Sequence, residues 1–527
     1  MITKDILKSP ILVEFDPQAQ EFWFDYSRDK VVPHIDTLYY TISISGDTNE
    51  NVLVGYLLDK LRYLKDEKLK DRSADVEYKG LLFECCRFSH YEFCLRLNEN
   101  YDIFVSSILP NLSTPRIVVQ LRTRTLVLNG VMQSVKASFD KVDSILKEFG
   151  LFPGEVRENR IDYAYHTNLI QNPYDYFSDN YIIQSLKSRL RLYHKVGNIR
   201  GDKIEIDYFS LGNRKSNNVF VRVYNKSQEV IEKNYKSFFI ARWRDKKLIN
   251  HYDEFVYERA YEYKSYYTGI QLGRIEWYLQ NGSNQDIKNE LSKVRLSCYE
   301  NSDNVEQLQK VVDRYLPPVT LIMNIEFQTK RKFYLDLEEF IKMHTGVLSI
   351  DDLTNTWIMT EGKQFPLHRL YVVHDLKSEI CHYLTTQTLS FVQNKGKKNE
   401  KYSYWWKRIV DCRIEEYKRK VADVWRERDI HLDKKRAEKR LLGAVAHYNL
   451  LNQKVFDENS SFVEDLSDAL CALNDNDFYG FASDPYTGEI FDISTSKKNA
   501  YSTLKKRKSR QIKPIVKNLS KKESEKK

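Results

Sequence analysis

Three stretches of the chain alternate apolar and polar residues with the period of a β-strand, and each places reactive groups on its polar side. In residues 219–226 (VFVRVYNK), Val219, Val221 and Val223 fall on one face and Phe220, Arg222, Tyr224 and Lys226 on the other. In residues 160–166 (RIDYAYH), Arg160, Asp162 and His166 share a face. In residues 274–279 (RIEWYL), Arg274, Glu276 and Tyr278 do. A sheet with its apolar side under helices would gather these groups on the opposite side.

The surrounding pattern supplies such a sheet. Residues 36–44 are rich in β-branched and aromatic side chains and predict a strand, ending at the turn cluster 46–49. Leu53, Leu57, Leu58, Leu61 and Leu64 recur at helical spacing. Strand-like runs follow near 78–85 and 90–97, and residues 115–129 alternate as a further strand. Residues 132–149 form an amphipathic helical pattern stopped by Gly150. Residues 173–195 read as helical, and 204–211 and 219–224 as two strands joined by the polar turn 212–217. The run through Glu276 reads as a closing strand near 280. The pattern predicts an α+β fold over residues 34–300, with a mainly antiparallel central sheet flanked by helices, after an N-terminal arm of residues 1–33. Residues 334–343, 376–389, 405–428, 434–453 and 460–473 are charged and helical in period, so 301–480 is expected to be a mostly α-helical C-terminal region. Residues 481–527 have the composition of a basic, disordered tail.

Composition narrows the class. The 527 residues suffice for two or three domains, and 30% charged with 42% hydrophobic residues fits a soluble globular protein. No apolar run approaches the ~20 residues that cross a bilayer, and the N-terminus lacks a long apolar segment, so no membrane partner and a cytoplasmic location are expected. The seven cysteines contain no CxxC pair, which fits reduced thiols. From Lys497 onward, thirteen Lys and Arg face two Glu, so the tail carries +11 and the rest of the chain −2 of the net +9. The tail is either a solvated segment or a tether adding salt-sensitive affinity for nucleic acid.

The chemistry centres on Tyr224, one of 36 tyrosines. A phenol ionises near pH 10 and is a weak nucleophile at neutral pH. Arg222 and Lys226 flank it on its own face, where cations favour the phenolate and offset the charge of a phosphate under attack. The other reading is a packed tyrosine between two solvated cations. Asp162 and Glu276 are oxygen ligands of the kind that hold Mg²⁺ or Mn²⁺, with His166 as a third. Each carboxylate also has an arginine two residues away, Arg160 and Arg274, so two strand-face ion pairs stand as the alternative. No GxxxxGK[ST], GxGxxG, HExxH or His-hydrophobic-His motif occurs. Trp405 and Trp406, among Lys401, Lys407 and Arg408, fit either base stacking or core packing.

These blocks resemble the replication initiation factor (Rep-trans) family of rolling-circle replication initiators and relaxases. Residues 160–164 (RIDYA) are similar to the family's R-[IL]-D-x-A strand, and 208–217 (YFSLGNRKSN) to its Y-[FL]-G-x-R-x-S-[ND] turn with two residues inserted. Residues 221–226 (VRVYNK), with Glu229, resemble I-R-[IL]-Y-[ND]-K-x-x-E, and 273–276 (GRIE) resemble W-R-[IV]-E. His166 stands where the family often has a second Asp, and Tyr278 where it has a second Glu. The resemblance implies that Tyr224 attacks one DNA strand at an origin, leaving a 5′-phosphotyrosine and a free 3′-hydroxyl. Arg222 and Lys226 would hold the scissile phosphate, and Asp162, Glu276 and His166 would hold Mg²⁺ or Mn²⁺. Arg160, Arg214, Lys215, Ser216 and Arg274 would contact DNA. Implied partners are single-stranded or hairpin origin DNA, a host helicase and a second copy of the chain. A relaxase for conjugative transfer and a non-catalytic origin-binding protein are the alternatives.

Overall fold

The computed structural model describes residues 10–414 apart from short gaps and the longer break 338–365, together with strands Phe481–Ser483 and Ile490–Asp492. Met1–Arg419 forms one compact unit and Lys420–Lys527 a second, whose described residues are those two antiparallel strands. The expected helices 434–453 and 460–473, and nearly all of the tail, lie outside the described residues.

Twelve strands precede residue 331: β1 (Val31–Gly46), β2 (Glu77–Tyr78), β3 (Leu81–Glu84), β4 (Phe93–Leu97), β5 (Tyr101–Val105), β6 (Ile117–Leu121), β7 (Leu151–Thr167), β8 (Leu186–Ser188), β9 (Tyr193–Arg200), β10 (Lys203–Leu211), β11 (Val219–Asn225) and β12 (Met323–Lys330). All but β8 join one antiparallel sheet of eleven strands, ordered β2-β3-β4-β5-β6-β1-β7-β12-β11-β10-β9. The fold is α+β, as the pattern predicts.

One face of this sheet is apolar. Tyr163, Tyr165, Val221, Val223, Ile325 and Phe327 are buried there with the helices Glu50–Lys70 and Val131–Lys147, whose leucines and valines supply the covering stripe. A bulge on β7 is needed to keep this arrangement, because Tyr39 opposes Arg160 while Tyr40 opposes Glu158. Asn159 is the extra residue, so Glu158 turns to the apolar side. There it is fully buried, and the Arg369 fork from helix His368–Asp375 donates to both its oxygens at 2.7 and 2.8 Å.

Helices His251–Tyr263 and Tyr266–Asn281 build a second core with Trp243, Tyr252 and Trp277. This corrects the strand expected at 274–279. Gly269 and Gly273 lie one turn apart on the second of these helices, and a Cβ at either would come within 2.8 and 2.9 Å of the Ala260 and Val256 carbonyl oxygens. The pair lets the two helices approach closely, and that contact outweighs the alternating pattern.

Other expectations also shift. Residues 173–195 form helices Pro173–Phe177 and Asp179–Ser185, broken where Ser178 is extended, and then strand β8. Within 115–129, the strand ends at Leu121, the last residue opposite both Leu38 and Tyr101, and helix Thr123–Leu128 follows. Residues 10–24 are not a free arm, because Ile11, Leu12 and Phe24 are buried in the second core. The boundary expected at 300 fails because β12 lies in the middle of the sheet. Beyond it, helix Lys377–Tyr383 passes through a π-helical turn, Leu384–Thr388, into β13 (Leu389–Gln393), which pairs with β8 and with β14 (Lys401–Tyr402).

Removing one partner of a buried ion pair strands the other. Arg369→Ala is therefore expected to lower the unfolding free energy by ~3–5 kcal/mol. Urea denaturation followed by tryptophan fluorescence measures it.

Candidate active site

The face opposite the apolar one carries the polar groups, and register aligns them in rows. Tyr224 on β11 opposes Asn324 on β12, which opposes His166 on β7. In the next row Arg222 opposes Glu326, which opposes Ala164, and one step on Gln328 opposes Asp162. Because side chains alternate, all of these groups point to one side. Ala164 leaves space over Glu326 that a larger side chain would fill.

Tyr224 is half-buried, and its hydroxyl is surrounded by partners of both kinds. It accepts from Asn324 Nδ2 at 2.9 Å and Lys226 Nζ at 3.2 Å, and it donates to Glu326 Oε2 at 3.5 Å. The Arg222 guanidinium donates to Glu326 Oε1. Lys226 begins helix Lys226–Glu232, where Asn225 caps the first turn by accepting from Gln228 N at 2.9 Å. Lys226 Nζ also meets Glu229 at 2.9 Å, and Lys236 meets the other oxygen at 3.0 Å. Burial alone would raise the Glu229 carboxyl, but Lys226 and Lys236 hold it down at about 2. Burial, and then the Glu326 and Glu229 carboxylates, push the Tyr224 phenol well above its usual 10, so at neutral pH it is a protonated phenol with an acceptor at hand.

Asp162 is buried and gripped by both ends of the Arg160 guanidinium, with Nε at 2.8 Å. Arg160 also lies over the Tyr39 ring. Burial, then the nearby Glu326 charge, raise the Asp162 carboxyl to about 7 against the pull of Arg160. His166 is fully buried and accepts at Nδ1 from Trp243 Nε1 at 2.9 Å. Its ring lies 4.3 Å, centroid to centroid, from that of His34. Burial lowers His34 to about 4 and, with His34 and Lys226 beside it, holds His166 well below 6.5, so both imidazoles are neutral.

The other residues expected at the site sit elsewhere. Glu276 is on helix Tyr266–Asn281 and pairs with Arg295 at 2.8 Å and with the Tyr263 hydroxyl. Arg274 is buried in the second core, donating to Gln271, Asp313 and the Leu316 carbonyl at 2.6 Å each, and is unavailable to DNA. Arg214, Lys215 and Ser216 are exposed on the β10–β11 turn, which Gly212 opens at φ +83°. The trio Asp162, His166 and Glu276 is not brought together around an ion. Among the described residues no three His, Cys, Asp or Glu side chains form a group able to hold a metal. Both carboxylates on this face, Asp162 and Glu326, are taken by arginines.

Asn324 and Glu326 are the site residues that sequence reasoning missed. Their signal was present: residues 323–330 (MNIEFQTK) alternate like the other strands, with Asn324, Glu326 and Gln328 on the polar side. They lie 100 and 102 residues from Tyr224, past the expected end of the domain.

No protein-family model matches the chain, and no curated protein does. Among solved structures, it is similar to a rolling circle replication initiator protein from Geobacillus stearothermophilus, over 73% of this chain and 99% of that one, at 11% identity and a TM-score of 0.31. The likeness is distant and says nothing about the site.

Raised above its unfolded value of 3.8, the Asp162 carboxyl takes up a proton more readily in the folded protein. Its contribution to stability is present at acid pH and lost as pH rises toward 7. Asp162→Asn should therefore gain on the parent progressively between about pH 4 and pH 7 in denaturant midpoint. A difference between the two proteins that does not change with pH would contradict the shift.

Proposed function

We propose that this protein nicks and rejoins one strand of DNA at an origin through a phosphotyrosine at Tyr224, starting rolling-circle replication of a plasmid, phage or mobile element. The same chemistry serves a relaxase in conjugative transfer. The observation that carries the reading is the Tyr224 hydroxyl, half-exposed on the polar face of the sheet, with Asn324 and Lys226 donating to it and Glu326 accepting from it. The motif around Tyr224, shared with the replication initiation factor family, supplies the choice of reaction.

In this reading the phenol oxygen attacks the phosphorus and Glu326 takes its proton. A general base is required because the phenol is held protonated. Arg222 and Lys226 set positive charge against the pentavalent phosphorane as negative charge gathers on its oxygens. The bond from phosphorus to the 3′-oxygen breaks. The 3′-oxygen leaves as a hydroxyl, gaining a proton that balances the one Glu326 received. Rejoining is the reverse: the 3′-hydroxyl attacks the phosphotyrosine and the phenol regains its proton from Glu326. Arg214, Lys215 and Ser216, exposed on the turn before β11, are placed to meet the backbone of the same strand. No step is routed through a metal.

The test uses purified full-length protein with Mn²⁺ and single-stranded oligonucleotides tiling the DNA around its gene. One oligonucleotide is expected to give a covalent adduct on a denaturing gel, and Tyr224→Phe to abolish it. An adduct that survives in that variant refutes the assignment. Glu326→Gln keeps the shape of the site but cannot accept the proton, so adduct formation should slow by roughly 10²–10⁴-fold while the adduct stays on Tyr224.

A further inference from the structure

The largest open feature away from Tyr224 lies on the small sheet β8-β13-β14. A groove of about 780 Å³ runs between Lys187 and Arg189 on one side and Lys401, Tyr402 and Lys407 on the other. These four cations face a single carboxylate, Glu400, which already pairs with Lys187 at 2.6 Å and accepts from Gly396 N at 2.7 Å. The basic loop 394–399, with Lys395, Lys397 and Lys398 all exposed, connects β13 to β14 beside it.

The groove stands on a rigid base. Trp405 and Trp406 are buried beneath it against Phe391, and Trp406 reaches Phe327 on the apolar face of the large sheet. One wall is the π-helical turn Leu384–Thr388, held by the bond from Trp406 Nε1 to the Thr385 carbonyl at 2.8 Å. Such turns are rare and recur at functional positions. Arg189 is fixed by its bond to the Tyr383 hydroxyl at 3.1 Å and lies over that ring, so its planar fork is already ordered. Phe327 and Tyr224 point to opposite faces of the large sheet, so this layer is on the side away from the phenol.

From this geometry we infer that the groove is a second nucleic-acid site, one that grips the phosphate backbone of DNA without reading its sequence. Cations on both walls, with an ordered guanidinium and a half-buried tyrosine between them, match a chain of regularly spaced phosphates joined by flat sugars and bases. The choice of DNA over an acidic protein segment rests on the proposed nicking function. The site itself needs no cleavage.

The full-length protein is titrated against fluorescein-labelled duplex and single-stranded oligonucleotides of unrelated sequence over a range of salt. Each lost phosphate contact lowers the slope of log K against log[salt] by about 0.9 on duplex and 0.7 on single strands, so a K187Q/K401Q/K407Q variant should lose about 2 to 3 from that slope. Its affinity at about 0.1 M salt should fall on the order of 10²-fold. E400Q removes the only acid of the groove and should bind both DNAs more tightly than the parent, a gain that misfolding cannot produce. The larger slope change identifies duplex or single strand as the occupant. Unchanged affinity and slope in both variants, or a loss confined to a poly-glutamate peptide, would overturn the site. Adduct formation at Tyr224 is scored separately with saturating oligonucleotide, so a failed nicking reaction leaves this result standing.

Discussion

The seating of β12 between β7 and β11 is the constraint on which the rest of the site depends. Three strands distant in sequence become adjacent, and a strict two-residue period decides which side each residue takes. With that register, Tyr224, Asn324 and His166 form one row, and Arg222, Glu326 and Ala164 the next. A slip of one residue in β12 would send Asn324 and Glu326 into the apolar core and bring Ile325 and Phe327 to the phenol. The apolar partners of these strands on the other face make that slip costly, so the core holds the polar rows in place.

The electrostatics of the polar face follow from the same crowding. Asp162 and Glu326 are close enough to repel, and each is held by an arginine from its own or the neighbouring strand. The phenol sits among cations and anions that oppose one another, and burial decides the balance in favour of the protonated form. A base is therefore as necessary as the nucleophile, and the strand that supplies it is the one that completes the sheet. Behind this face the buried neutral imidazoles of His34 and His166 close the floor against Phe239 and Trp243.

The second core shows a different logic. Its helices meet through Gly269 and Gly273, where backbone approaches backbone, and the aromatic residues Trp243, Tyr252 and Trp277 fill the space around them. Arg274 and Glu276, which alternate as strand residues would, serve this core as internal ion partners. The likeness of residues 273–276 to a strand motif is thus local, and packing overrides it.

Much of the sheet was legible from period alone. The strands at 31–46, 203–211 and 219–225, the helices at 50–70 and 131–147, and the polar face bearing Arg222, Tyr224 and Lys226 all follow from alternation, helical spacing and turn residues. These are local properties, written within a dozen residues of one another. The tertiary structure alone decided that Glu326, rather than Glu276, stands at the phenol, that a bulge turns Glu158 inward to Arg369, and that Gly273 belongs to a helix crossing. Each of those outcomes depends on which distant segment packs alongside, and neither period nor composition carries that information.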